Sequence, residues 1–440
     1  MAGLLFTPLA WASLSLLLDF RKGRCVSWLG MVIQVLVSLA LWYAVMERGG
    51  FSYALGGWEA PLGIALRVDG LAVTFVLLTA AVATACGLHA GFYLDACKPW
   101  QRYFWPLFWF LWAGLNGVWL GADLFNLYVS LELISLAAVG LVALGGEAAA
   151  LRAALRYLFA ALLGSLAYLL GVALLYGRFG TLSLALIDEQ LASCEPALIV
   201  ALLLMLAGLA LKTALFPLHG WLPPAHGIAR SPVSALLSGL VVKASFYIAA
   251  RLWLELGDRL GSPWLAQSIG ALGAAAVVWG SWLAFRQPHL KQVVAYSSVA
   301  QIGYLFLLFP LTFAVAEPVS LLAQQGITLQ VISHALAKAA GVYVMGLPRS
   351  GGFAAKWLLL QASLASGQWW WVGVLLLGGV LAAAYVFRIY RASFLEVGDS
   401  DDFYHPPQSL EAIPMILALL ALGLGWWQNR CSRYCRCLSR

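Results

Sequence analysis

Charge is scarce in this chain. Asp, Glu, Lys and Arg make up 10% of its 440 residues while apolar residues reach 62%, against roughly 25% and 45–50% in soluble domains. That balance excludes a water-soluble globular protein and a charged disordered one. Cysteine is sparse and scattered: seven residues, with no CxxC pair and no zinc-like spacing, so no structural zinc site or Fe–S cluster is expected. The three cysteines in the tail RCSRYCRCLSR read as part of an Arg-rich polar end. No paired haem-ligand histidines and no dinucleotide-type glycine motif occur. Cofactors and metals are therefore not expected, and any redox chemistry would belong to partners. Long polar segments are missing too: the largest, residues 395–411, is too short to fold alone. The N-terminus has neither a basic n-region nor a clear small-residue cleavage site, so it reads as a retained first span. Basic residues in short loops mostly set topology, so the formal charge of +7 gives no reason to expect nucleic acid.

What is present is a succession of apolar runs of membrane-crossing length. Taking about 20 residues per span, the runs fall near 3–20, 26–46, 70–94, 102–120, 123–145, 153–176 and 197–217. They continue near 231–254, 264–285, 292–312 and 321–346, then a half-length piece at 353–366, then 368–392 and 409–427. The expected fold class is all-α, a polytopic transmembrane bundle. The 20 tryptophans lie largely near the ends of these runs, as an interfacial belt requires. Basic residues fall in alternate connections: RKGR at 21–24, Lys98 with Arg102, Arg152 with Arg156, Arg230, Arg286 with Lys291, Arg349, and Arg388 with Arg391. The intervening loops are neutral or acidic (Asp188, Glu189, Glu195). The positive-inside tendency then places the N-terminus outside and RKGR in the cytoplasm, in a bacterial inner membrane. An even span count puts the Arg-rich tail outside, which opposes the same tendency.

Against this background a few ionisable residues stand out. Lys212, Lys243 and Lys338 are embedded in apolar runs, and an ammonium at mid-membrane depth costs about 3 kcal/mol on insertion scales. A lysine snorkelling from a helix end is the plain alternative, but the flanks LIVALLLMLAGLALK and FPL leave Lys212 little room for it. Glu132, in DLFNLYVSLELISLAAVG, is an acid of the kind such lysines need; a helix–helix hydrogen bond is its structural alternative. His334 and Lys338 are spaced i, i+4 and share a helix face. Lys356 follows a Gly/Pro break containing Pro348 and Gly352, as Lys212 precedes one containing Pro217 and Pro223. Proline removes a backbone donor, and freed carbonyls at membrane depth persist only where they are buried or line a water-filled cavity. Lys291 suits interfacial anchoring, and Asp69 and Asp123 suit helix caps.

These residues carry a resemblance. DGLAVTFVLLTA (69–80), DLFNLYVSLELISL (123–136), LKTALFPLHGWLPPAHGIARSPVSALLSGLVVKASFY (211–247), LKQVVAYSSVAQIGY (290–304), HALAKAA (334–340) and SGGFAAKW (350–357) resemble the antiporter-like membrane subunits of respiratory complex I. The large subunits of Mrp-type sodium/proton antiporters and of membrane-bound hydrogenases share the pattern, which runs over about residues 60–395. The resemblance implies an ion pair between Glu132 and Lys212, proton-translocating roles for Lys243, His334, Lys338 and Lys356, and about thirteen or fourteen spans. It also implies broken helices and inverted five-helix repeats. Residues 1–100 would be N-terminal spans, 101–255 the first antiporter-like repeat, 256–395 the second, and 396–440 the last span and basic tail.

One departure stands out. Between Lys338 and Phe353 the chain is shorter than in relatives, so the second repeat is expected to be shortened. A non-helical connector over 346–352 should lead into a half-length helix. The expected function is that of a proton-translocating, or sodium/proton antiporter-like, subunit of a multisubunit inner-membrane complex of the NADH-quinone oxidoreductase kind. Its partners would be other membrane subunits, protons with or without sodium, and the lipid bilayer. A non-conducting scaffold subunit and the membrane subunit of an energy-coupled inorganic-carbon uptake system are the alternatives.

Overall fold

A computed structural model describes residues 1–94, 102–191, 196–260, 262–340, 350–393 and 408–424. Pro348, Arg349, Lys98 and the tail from 425 onward lie outside the described residues, as does most of the 395–411 stretch.

The chain is helical because lipid leaves a spanning backbone no water to bond, so each segment must satisfy its own N–H and C=O groups. The first four helices are α1 (Ala2–Leu16), α2 (Phe20–Arg48), α3 (Gly70–Tyr93) and α4 (Phe104–Leu120). Next come α5 (Leu124–Ala143), α6 (Ala148–Phe179), a short α7 (Leu184–Gln190) and α8 (Pro196–Thr213). Then follow α9 (Leu222–Ile228), α10 (Ser231–Leu236), α11 (Val242–Leu256), α12 (Pro263–Arg286), α13 (Leu290–Leu305) and α14 (Leu308–Thr312). The described chain ends with α15 (Glu317–Ala339), α16 (Gly351–Ala365), α17 (Trp370–Ser393) and α18 (Gln408–Gly423). Every apolar run expected from the sequence has a helical counterpart, and nine spans among the described residues are long and apolar enough to cross a membrane. At one end of the bundle a small antiparallel hairpin, β1 (Phe51–Ala54) with β2 (Ala65–Val68), joins α2 to α3.

The caps are those the sequence suggests. Asp69 accepts from the amide of Ala72 at 2.9 Å and Asp123 from those of Phe125 and Asn126 at 2.9 and 2.8 Å, meeting donors that a helix start leaves unpaired. Helix α16 begins at Gly351 behind a Ser350 cap. Gly352, expected in the connector, therefore lies in the first turn of the helix: the Ser350 hydroxyl accepts from the Phe353 amide at 3.3 Å and starts the helix there. At 15 residues, α16 is about 22 Å long, shorter than a ~30 Å hydrocarbon core.

Layering follows from burial. The α10–α11 span is the centre, 94% buried over its most apolar stretch, whereas α17 is 22% buried and faces outward. The tryptophans divide in the same way. Trp58, Trp264 and Trp369 are exposed, but Trp105, Trp109, Trp112 and Trp119 on α4 are fully buried. Trp109 and Trp112 stack at 5.2 Å. The belt expectation thus fails for α4, whose rings fill volume between helices, and the indole nitrogens of Trp109 and Trp119 bond Ser27 and Thr79 at 2.9 Å each.

Helix pairs in lipid approach most closely where both carry small residues. A Cβ on Gly208 would lie 2.3 Å from the carbonyl oxygen of Gly164, and one on Gly164 would lie 2.8 Å from that of Gly208 and 3.0 Å from Cγ of Lys212. Two glycines in register therefore bring α6 and α8 together beside that lysine. Gly273 and Gly303 do the same for α12 and α13.

Candidate functional site

Helix α8 stops at Thr213, immediately after Lys212. Ala214 takes a left-handed φ of 61°, Pro217 lies in the non-helical stretch, and a 3-10 turn over Leu218–Trp221 leads into α9. Pro223 sits within the first turn of α9, where a missing N–H leaves no helical bond unmade. The carbonyl of Leu211, near the interrupted end, accepts from the indole of Trp221 at 2.8 Å. Tyr157 stacks on that indole at 4.3 Å. The break is thus packed against protein, the condition under which irregular backbone survives at membrane depth.

Lys212 reaches across from α8 to α5. Its Nζ lies 3.2 Å from Oε1 of Glu132 and 2.8 Å from Oγ of Ser135. The Ser165 hydroxyl, from α6, donates to the same Glu132 oxygen. The side chains are 4% and 19% exposed for Lys212 and Glu132, so the pair is largely withdrawn from solvent. Three helices converge on it: α5 supplies the acid and one hydroxyl, α6 the second hydroxyl, and α8 the ammonium.

Lys243 is 1% exposed and belongs to the central span. Residues Leu237–Val241, just before it, form a π-helical turn. Such turns loosen the i→i−4 ladder and often mark functional sites. The Lys243 ammonium donates to the carbonyl of Ser238 within that turn. The Ser238 hydroxyl in turn shares a 2.8 Å hydrogen bond with that of Ser298 on α13. One residue earlier on α13, Ser297 accepts from Lys338 at 2.6 Å, and the Val294 carbonyl accepts from the same ammonium at 2.8 Å. Ser298 also donates to the Val294 carbonyl at 3.0 Å, so the polar contacts run from Lys243 by way of Ser238 and Ser298 to the carbonyl that Lys338 shares.

His334 is buried one turn before Lys338 on α15, and both its ring nitrogens lack a partner among the described residues. One further turn back, Gln330 donates to Gln301 of α13 at 2.5 Å. Lys356, on α16, lies apart from this line. Its ammonium sits 4.7 Å from the ring centroid of Tyr304 on α13, a cation–π contact.

The sequence reading passed over His226. It is buried on α9, and its Nδ1 lies 3.0 Å from the Ser234 hydroxyl of α10. A histidine close behind Pro-Pro in an apolar segment was the available signal. It also passed over the cluster at the opposite end of α11, where Arg251 pairs with Asp69 at 2.6 Å and Arg67 pairs with Glu255 at 2.9 Å. Asp69 thus both caps α3 and ties it to α11.

The helical membrane bundle, the interrupted span and the buried lysine line define an antiporter-like membrane subunit. The chain belongs to the NADH:quinone oxidoreductase/Mrp antiporter transmembrane family, which matches residues 121–344. It is 35% identical to NADH-quinone oxidoreductase subunit N of Desulforudis audaxviator, over 90% of this chain and 88% of that one. It is 26% identical to a Na(+)/H(+) antiporter subunit of Alkalihalophilus pseudofirmus, over 91% and 88%. Among solved structures, a chain of the archaeal membrane-bound sulfane sulfur reductase superposes with a TM-score of 0.89 at 24% identity, covering 99% of this chain and 96% of that one. A chain of the Mrp complex from Dietzia gives 0.85 at 22%, with the same coverage. Both structures share the fold.

The geometry at Glu132 yields a stability test. Removing one partner of a buried pair leaves an uncompensated charge, which costs about 3 kcal/mol or more. Glu132→Gln should therefore lower the thermal unfolding midpoint of the detergent-purified protein, and adding Lys212→Met should restore most of the loss. A Glu132→Gln protein as stable as the parent would mean that the pair carries no such weight.

Proposed function

We propose that the chain is a proton-translocating subunit of a multisubunit membrane complex, with Glu132, Lys212, Lys243, His334 and Lys338 as its relay. The single observation carrying this reading is the 3.2 Å Glu132–Lys212 pair placed where α8 breaks. An acid, a base and freed backbone polarity meet there inside an apolar bundle. The names of the relatives, a quinone oxidoreductase subunit and a sodium/proton antiporter subunit, support ion movement as the task and a larger assembly as its setting.

The mechanism follows from Coulomb coupling in a medium of low dielectric. While Lys212 is paired with Glu132, its positive charge is largely compensated. When the pair opens, the ammonium is uncompensated and raises the potential at neighbouring basic sites, so the next lysine, Lys243, binds its proton less readily. A proton leaving Lys243 has polar groups spaced toward Lys338: the Ser238 and Ser298 hydroxyls, then the Val294 carbonyl and Ser297 hydroxyl that hold the Lys338 ammonium, with His334 one turn away on the same helix. Lys356, set over Tyr304, would serve the shortened second repeat. The chemistry fits proton hopping and needs no redox group in this chain.

The reading also orients the molecule. The end that bears Arg24, Arg230 and Lys291 faces the cytoplasm of a bacterial inner membrane, and the end with the hairpin and the Arg251–Asp69 pair faces the periplasm.

Reconstitution tests the relay. Lys212→Ala should abolish pH-gradient dissipation in proteoliposomes while Lys212→Arg, which keeps the charge, should retain part of it. Full transport by Lys212→Ala would overturn the reading. Orientation is tested at Cys25, which is exposed beside the RKGR motif. In a variant that keeps Cys25 as its one cysteine, a membrane-impermeant maleimide should leave intact spheroplasts unlabelled and react after lysis. Labelling before lysis would reverse the topology.

A further inference from the structure

Two cavities that share walls lie on the face made by α3 and α18. The first, of about 470 Å³, is a groove between α2, α3 and α18, lined by Val35, Leu39, Leu77, Leu88, Ile416 and Leu420 among others. Its lining residues are apolar but for Thr84. The second, of about 180 Å³, is lined by Lys338, Lys291, His226 and His89, among others, with no acidic residue in its wall among the described residues. Ala85 and Ile413 belong to both. An apolar slot thus adjoins a basic chamber.

The dimensions and the charges point to the same kind of occupant. From Leu77 to Leu88 the groove follows about 16 Å of helix, half of a ~30 Å hydrocarbon core, and it ends at the basic end of the bundle. One leaflet's acyl chain has that reach and that direction. The chamber at its end lacks a counter-charge among the described residues. Lys338 bonds the Val294 carbonyl and the Ser297 hydroxyl, and exposed Lys291 bonds the Ala229 carbonyl at 3.0 Å. Neither has a carboxylate among the described residues, unlike Lys212, and Nδ1 of His89 is buried with no partner. Intramembrane cations pair with acids or with backbone carbonyls, and these two lysines have carbonyls and a hydroxyl without an acid among the described residues.

We propose that this notch binds an anionic phospholipid, its acyl chain in the groove and its phosphate against Lys291 and His89, next to Lys338. The headgroup supplies the negative charge that the chamber lacks. It thereby places a lipid-borne anion beside a lysine of the line described above. The proposal goes beyond the functional reading and borrows from it only the name of the leaflet, the cytoplasmic one.

The test uses the full-length chain in nanodiscs with phosphatidylglycerol carrying a diazirine near the acyl terminus, followed by peptide mass spectrometry. Adducts are expected on residues 77–88 of α3 and 413–420 of α18. Unlabelled phosphatidylglycerol should displace the probe, and phosphatidylcholine should not. Lys291→Gln should weaken labelling about fivefold, the share of one surface-level cation, while Lys291→Arg should preserve it. Ala81→Trp, which fills the groove from an exposed position and leaves the chamber alone, should remove the α18 adducts. Equal labelling by a phosphatidylcholine probe, or no change in Lys291→Gln, would mean unselective annular lipid and would overturn the proposal. So would adducts that vanish once the chain is in its assembled complex, which would give the notch to a partner subunit.

Discussion

The structure depends on the cost of holding charge where there is no water. An ammonium in hydrocarbon is unfavourable by about 3 kcal/mol on insertion scales, more if nothing compensates it. Lys212 is kept by three devices at once. Glu132 supplies the opposite charge, Ser135 and Ser165 complete the hydrogen bonds, and the Gly164–Gly208 contact brings α6 and α8 close enough for those groups to meet. Each device constrains the sequence nearby: a side chain larger than glycine at 208 would collide with backbone, not with a flexible tip. Packing and electrostatics at this point are one problem.

A paired charge that is never unpaired would be a structural strut. The surroundings favour a working role. Beyond the pair, Lys243 and Lys338 have no acid beside them among the described residues and rest on carbonyls and hydroxyls. Such partners stabilise an ammonium yet remain usable by the neutral amine. The π-helical turn before Lys243 supplies one of these carbonyls, and the buried ring of His334 lies one turn from Lys338 on α15. The compensated Glu132–Lys212 pair and the acid-free lysines beyond it are the two kinds of site that the proposed relay would couple.

Much of this was legible in the sequence. Apolar runs marked the spanning helices of the described residues, because a spanning segment must be long, apolar and bonded within itself. The embedded Glu132 and Lys212 announced a pair, because neither is tolerated alone, and Asp69 and Asp123 announced helix starts. Three things were not legible. The serines at 238, 297 and 298 carry no hydropathy signal, and only the register of α13 against the central span aligns them. The tryptophans of α4 have the composition of an interfacial belt, yet tertiary packing claims them for the interior. Nothing in the sequence marks Arg251 as the partner of Asp69, and only the fold brings the two together. In each case the deciding contact joins residues distant in sequence, which periodicity cannot report.

The central claim is that the state of the Glu132–Lys212 pair and the protonation of Lys243 are coupled. Infrared difference spectroscopy of the reconstituted protein across a pH step reads this directly. The carboxylate band of Glu132, assigned by its loss in Glu132→Gln, should titrate at a different pH once Lys243 is replaced by Leu. An identical titration of that band in both proteins would contradict the account.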